Sequence, residues 1–340
     1  MRPADRRPVL RVLLLGATGT IGRAACAALL ARGHEVICLV RPAGAHRPHR
    51  PLPAAARVRV GDPTDAGSIL RDGIAGERID ALLSCLASRT GAPADAWAID
   101  HGANVAALRA AQAAGVAHML LLSAICVQKP RLAFQHAKLA AESALMASGL
   151  RWTIVRPTAF FKSLSGQVER VRAGKPFLLF GDGTRTACKP ISDADLGGYL
   201  ADCLTDPACW NRILPIGGPG SAITPRQQGE ALFALLGRPA RFRSVPVRLL
   251  DAVIAALSAG GALVPALAAK AELARIARYY ATESMLLMDP ATGRYDAEAT
   301  PSTGTQTLVD HYARLLRGEA SADLGAHAVF QASRAGRSAA

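Results

Sequence analysis

The chain of 340 residues is short of acid, of paired cysteines and of uninterrupted apolar runs. Each shortage closes off a class of protein. Acidic residues number 26 against 40 basic ones, giving a net charge of +14. The imbalance is steepest at the start, where residues 1–60 hold eleven arginines against only Asp5 and Glu35. Such a surface attracts anions, but no nucleic-acid-binding motif accompanies it, so nucleic acid is not an expected partner. The seven cysteines (26, 38, 85, 126, 188, 203 and 209) form no C-x-x-C pair and have no histidine cluster beside them. A zinc site and a disulfide framework are thereby excluded, no metal is expected, and a reducing cytoplasmic setting follows. Cys26, Cys38 and Cys85 lie in apolar stretches and read as small buried residues. The N-terminus has arginines and prolines but no apolar signal core.

The stretch 252–269 has 18 residues without a charge, the lower limit for a membrane span. Gly260-Gly261 and Pro265 interrupt it, so a buried helical hairpin is expected; a lid lying on a membrane surface is the alternative. Hydrophobic residues make up 50% of the chain and charged ones 19%, which excludes a disordered polymer.

What is present is a glycine turn. Val12-Leu13-Leu14-Leu15 runs into Gly16-Ala17-Thr18-Gly19-Thr20-Ile21-Gly22, and an alanine-rich helical stretch follows. A buried strand, a tight turn and a helix N-terminus seat a pyrophosphate, because backbone N–H groups and the positive end of the helix dipole converge on the anion. Gly16, Thr18, Gly19, Thr20, Ile21 and Gly22 are the expected phosphate contacts.

Strand candidates follow at 10–15, 35–40, 57–60, 79–84, 118–123 and 151–155, with helices expected at 20–32, 65–73, 94–115 and 134–148. Near-continuous apolar strands separated by helices imply an α/β fold: a doubly wound, Rossmann-type parallel sheet. A further helix is expected at 160–173, another at 192–205 capped by Ser192, and a closing strand at 213–216. The expected division is a dinucleotide-binding domain over 9–216, with 160–190 contributing to the substrate site. A smaller, mostly helical lobe covers 217–320, and 1–8 and 321–340 are tails. The Pro-rich stretch 42–53 reads as a surface loop.

The strand ends choose the cofactor. The second strand ends in Arg41, with no carboxylate after it. A carboxylate would repel a 2′-phosphate, whereas a guanidinium pairs with it in a fork, so NADPH is expected. Asp62, after the third strand, is placed to meet the adenine. Cys85, Leu86 and Ala87 leave room for the cofactor past the fourth strand, and Pro157 and Phe160 line its path past the sixth.

Ser123 ends the fifth strand, and eleven residues later comes Phe134-Gln135-His136-Ala137-Lys138. This order resembles the short-chain dehydrogenase/reductase superfamily, in which a Ser precedes a Tyr-x-x-x-Lys helix. Phe134 stands at the tyrosine position and has no ionisable proton. Carbonyl reduction by a tyrosine acid is therefore in doubt, while Lys138 remains to hold the nicotinamide ribose. Ser123 and Lys138 are the catalytic candidates. Two outcomes stay open: a cofactor-binding regulator or scaffold without turnover, or reduction of a C=C bond conjugated to a large π system.

Residues 156–164 (Arg-Pro-Thr-Ala-Phe-Phe-Lys-Ser-Leu), Phe180-Gly181-Asp182-Gly183 and Cys188-Lys189-Pro190-Ile191-Ser192 resemble the divinyl (proto)chlorophyllide 8-vinyl reductases. So do Ser84-Cys85-Leu86-Ala87-Ser88-Arg89-Thr90-Gly91, Trp97-Ala98-Ile99-Asp100, Ser123 to Pro130, Phe134-Gln135, Arg278 to Met285 and Asp289-Pro290. The likeness covers roughly residues 10–318. It implies an atypical short-chain reductase of the NmrA-like kind that uses NADPH to reduce the 8-vinyl group of the pigment precursor to ethyl, in chlorophyll or bacteriochlorophyll synthesis. The implied substrate is a flat apolar tetrapyrrole with a propionate edge. Phe161 and Phe180 are candidates for its ring, and Lys162 and Lys189, with Arg185, for its carboxylate. Lys138, His136, Cys126 and water are the candidate proton sources. The implied location is the cytoplasm, with peripheral contact to the photosynthetic membrane.

Overall fold

The computed structural model describes residues 8–42, 51–261 and 264–319. Most of the Pro-rich loop and both expected tails lie outside them, apart from Pro8. The strands are β1 (Arg11–Leu15), β2 (Glu35–Val40), β3 (Arg57–Val60), β4 (Ala81–Ser84), β5 (His118–Leu122) and β6 (Arg151–Pro157). β7 (Phe177–Phe180) leaves the sheet, and β8 (Arg212–Ile216) returns to it. The result is a seven-stranded sheet in the order β3-β2-β1-β4-β5-β6-β8, with every pair parallel. Chain direction across the sheet reverses between β1 and β4, the place where such folds open a crevice at the strand C-termini.

Strand alternation divides the core into two faces. Val12 and Leu14 of β1, with Val36, Cys38 and Val40 of β2, pack beneath the helices Thr20–Ala31 and Asp193–Thr205. Leu13, Leu15, Ile37 and Leu39 pack on the other side, against Ala107, Ala110, Ala111, Ala141 and Leu145. Apolar residues on both faces are what a parallel sheet covered by helices requires. Gly197 brings its helix close, because a Cβ there would lie 2.6 Å from the Ala24 carbonyl carbon. Ser192 caps this helix by accepting from the Asp195 amide at 3.0 Å, as expected.

Three expected helices differ in detail. The stretch 65–73 begins as Ala66–Ser68 and widens into a π-helical turn, Ile69–Ile74. The stretch 94–115 likewise contains a π-helical segment, Ala96–Ala103, before the α-helix Asn104–Ala113. The expected helix 160–173 is broken into Phe161–Leu164 and Val168–Arg172. Ser165 breaks it: its hydroxyl donates back to the Phe161 carbonyl at 2.7 Å, and Gly166 follows.

The second lobe is helical, with a small parallel pair of β7 and β9 (Phe242–Val245). Phe161, Val168, Val171 and Phe177 share one cluster with Leu232, Phe233, Leu308 and Tyr312, so the 160–180 segment packs with the C-terminal helices. The 252–269 stretch forms a helical hairpin, with Val247–Gly261 against Pro265–Thr282. Gly260 and Gly261 admit the second helix closely, since Cβ atoms there would lie 2.8 Å from Leu267 and 3.0 Å from Ala268. The hairpin is not buried as expected, for its first helix carries no buried residue and exposes Leu249 and Val253. Among the described residues no helix is long and apolar enough to cross a membrane.

Candidate active site

The glycine turn closes at the C-terminal end of β1. Gly16 takes φ +77°, and a Cβ there would lie 2.6 Å from the Cys85 carbonyl oxygen, so only glycine fits. A Cβ on Gly22 would meet the Gly16 carbonyl oxygen at 2.2 Å, which packs the helix directly on the turn. Gly19 caps the helix without a side-chain bond, and no acidic residue occupies the first turn. The amides of the first turn therefore meet no side-chain cap and no acidic competitor, the condition under which a helix N-terminus can take an anion. Two cations flank them. The Arg23 guanidinium donates to the Thr18 carbonyl at 2.7 Å, and the Lys162 ammonium donates to the Thr20 hydroxyl at 3.3 Å.

Arg41 follows β2 directly and is exposed. Asp62 sits past β3, where one carboxylate oxygen accepts from the amide and hydroxyl of Thr64, leaving the other for a ligand. Past β4, the Cys85 amide donates to the Leu15 carbonyl, and burial pushes its thiol up to about 12, so the thiol stays neutral. Leu86 and Ala87 continue this edge. Pro157 is buried at the end of β6, and half-buried Phe160 bridges to Ile191.

Lys138 is buried rather than lying on the helix surface. Its ammonium pairs with Asp100 Oδ1 at 2.9 Å, and Asp100 is only 1% exposed. The other carboxylate oxygen, Asp100 Oδ2, has no hydrogen-bond partner, and neither does the buried Ser123 hydroxyl. Two orphaned buried polar atoms, just past the ends of β4 and β5, mark where a polar ligand would complete the site. The donor and acceptor set fits a dinucleotide: a carboxylate and a hydroxyl for sugar or amide groups, and amides for the pyrophosphate. Asp100 has no role assigned from sequence, although Trp97-Ala98-Ile99-Asp100 stood out there. The available signal was a carboxylate in an otherwise apolar run. Arg23 was missed as well, one residue beyond the turn.

Phe134 lies beside Gly91 and Ile276. A Cβ on Gly91 would meet Ile276 Cδ1 at 2.7 Å and Phe134 Cδ1 at 4.0 Å. These residues border a cluster of Ile125, Cys126, Leu132, Cys188, Tyr279 and Met285, so the helical hairpin closes over the start of the Lys138 helix. The Tyr279 hydroxyl fixes this contact by donating to the carbonyls of Cys126 and Lys129, both at 3.0 Å. His136 is exposed on the other side of its helix. Burial raises the Cys126 thiol above its ordinary range.

Of the expected substrate residues, Phe161, Lys162, Phe180 and Lys189 do not converge. Phe161 is 3% exposed in the second-lobe core, its ring centroid 5.2 Å from that of His311, so it has no face to offer a pigment. Lys162 reaches the glycine turn instead of a substrate edge. Lys189 is buried and spends its ammonium on the Thr300 carbonyl at 3.1 Å, tying the C-terminal segment down. Phe180 stays half-exposed, at the end of β7.

A family profile described as NAD(P)H-binding matches residues 16–207, starting at the first glycine of the turn. The chain is 49% identical to the divinyl chlorophyllide a 8-vinyl-reductase, chloroplastic, of Oryza sativa subsp. indica, over 94% of this chain and 82% of that protein. It is 47% identical to the protein of the same name from Zea mays, with the same coverage. In three dimensions it resembles the ternary complex of leucoanthocyanidin reductase from Vitis vinifera, with TM-score 0.66 and 16% identity, over 90% of this chain and 99% of that one. At that identity the likeness speaks for the fold.

Proposed function

Given that the chain belongs to the divinyl chlorophyllide a 8-vinyl-reductase family and carries an NAD(P)H-binding domain, we propose that it uses NADPH to reduce the 8-vinyl group of 3,8-divinyl chlorophyllide a, or of its protochlorophyllide precursor, to ethyl. The observation that carries the reading is the pairing of a buried, Asp100-held Lys138 and an unpartnered Ser123 with a phenylalanine at position 134. The site keeps the groups that hold a nicotinamide ribose and lacks the phenol that would protonate a carbonyl.

The bound dinucleotide supplies a hydride. Everything else falls to the chain. The amides of Thr20, Ile21 and Gly22 hold the pyrophosphate, with Lys162 and Arg23 beside it. Arg41 takes the 2′-phosphate, which favours NADPH over NADH. Lys138, fixed by Asp100, and the Ser123 hydroxyl orient the nicotinamide end. Phe134 and Ile276 keep that end apolar and offer no acid of their own, so charge arriving on the substrate is spread over the macrocycle. One proton then completes the ethyl group. It comes from water or from the Lys138 ammonium, and a solvent isotope effect that survives Lys138→Met assigns it to water.

The two lobes divide this work: 9–216 binds the cofactor, and 217–320 with 160–190 covers the substrate. Exposed Leu249 and Val253 on the hairpin support a peripheral membrane contact from the cytoplasmic side, in synthesis of chlorophyll or bacteriochlorophyll. The test of function is turnover: divinyl chlorophyllide with NADPH, watching the Soret band move to shorter wavelength. A folded chain that binds NADPH and leaves the band in place refutes the reading and favours a non-catalytic regulator.

A further inference from the structure

A cationic cleft of about 600 Å³ opens beside the apolar cluster that adjoins Phe134 and Cys126. Four separate segments build it: Lys129 and Arg131 before the Lys138 helix, Arg185 after β7, Arg248 at the start of the hairpin, and Arg278 near its end. Five cations face two carboxylates, Asp251 and Glu283. Both carboxylates are already engaged. Glu283 is 7% exposed in its side chain and accepts from Lys129 at 2.7 Å, Arg131 at 3.1 Å and the Tyr295 hydroxyl at 2.9 Å. Asp251 pairs with Arg278. Among the described residues neither Arg185 nor Arg248 has an ion-pair partner, so the cleft carries three positive charges in excess, two of them wholly uncommitted.

The cleft is held in register with the cofactor end. The Ala187 amide donates to the Ser284 hydroxyl at 3.1 Å, and the Met285 amide donates to the Ala187 carbonyl at 2.9 Å, which fixes the Arg185 loop against the hairpin exit. Tyr279 ties the hairpin to Cys126 and Lys129. On the helix Pro265–Thr282, Ile276 and Tyr279 face the apolar cluster while Arg278 and Thr282, four residues apart, face the cleft. An apolar wall thus separates the nicotinamide end from a cationic rim.

We propose that this cleft is the subsite for a carboxylate on the substrate, with Arg185 and Arg248 as the cations that pair with it. This rests on the vinyl-reductase reading and adds to it the recognition of the anionic edge of the macrocycle. It also replaces Lys162 and Lys189, which the fold commits elsewhere. The ligand is an apolar ring system bearing one carboxylate. A guanidinium binds such a group by two parallel N–H bonds, and a charge-assisted pair of this kind is worth roughly ten- to a hundredfold in affinity.

The experiment compares divinyl chlorophyllide as free acid with its uncharged methyl ester, by fluorescence titration without cofactor and by turnover with NADPH. Wild type is expected to bind the acid at least tenfold more tightly than the ester. In Arg185→Gln/Arg248→Gln that preference falls toward one, with NADPH affinity retained as the sign of an intact fold. Arg243→Gln, on exposed β9 outside the cleft, keeps the preference. Equal binding of acid and ester by wild type overturns the subsite, and so does a double variant that keeps the preference. A chain that prefers the acid, loses the preference in the double variant and yet reduces neither compound upholds the subsite and overturns the reductase reading.

Discussion

Replacing Asp100 by Asn removes the partner of a buried ammonium. Lys138 has 11% side-chain exposure and Asp100 has 1%, so the pair sits out of water at 2.9 Å. Breaking such a pair leaves one charge uncompensated and costs about 3–5 kcal/mol, more than the pair itself contributes. Asp100→Asn should therefore lower the unfolding free energy by about that amount, and Lys138→Gln by a similar one. Asp100→Asn/Lys138→Gln removes both charges and leaves two amides able to hydrogen-bond, so it should lose no more than either single variant. Urea unfolding read from the midpoint and slope gives all four corners of the cycle. NADPH titration of the same proteins should show weaker binding in each single variant, because the proposed function places the orphaned Asp100 oxygen and Lys138 at the cofactor end. Additive losses in the double variant would refute the ion pair as a unit, and unchanged NADPH affinity would remove it from the site.

Three further outcomes follow from the geometry. Arg41→Ala should weaken NADPH by about tenfold, roughly 1.4 kcal/mol, and leave NADH unchanged; equal loss for both would show that Arg41 does not read the 2′-phosphate. Lys162→Ala should weaken NADPH and NADH alike, since the pyrophosphate is common to both. A raised pigment KM with unaltered dinucleotide affinity would return Lys162 to the substrate. Burial pushes the His118 imidazole from 6.5 down to about 4, with its ring 3.0 Å from the Thr153 hydroxyl. The unfolded chain therefore binds a proton in this window that the folded chain refuses. Stability should be full above about pH 6.5 and fall toward pH 4 by roughly 3 kcal/mol, and His118→Gln should flatten that part of the urea-midpoint profile.

Much of the scaffold was legible because it depends on local pattern. Short apolar runs such as Val12 to Leu15, followed at once by a glycine turn, read as strands covered on both faces, and Gly19 and Gly22 answer to the Gly16 carbonyl a few residues away. What escaped depends on distant partners. Lys162 and Lys189 are long and flexible, and nothing local says that one reaches Thr20 and the other Thr300. Phe160 and Phe161 are neighbours in sequence, yet Phe160 lies on the sheet side and Phe161 in the second-lobe core. The π-helical turn that carries Asp100 has the same apolar spacing as an α-helix, so periodicity alone does not separate them.

The central claim concerns the bond that is reduced, and NADPH-dependent turnover of divinyl chlorophyllide measures it directly. The account predicts loss of one NADPH for each 8-vinyl group converted to ethyl, with the Soret band moving to shorter wavelength. NADPH binding without consumption of either reactant would contradict it.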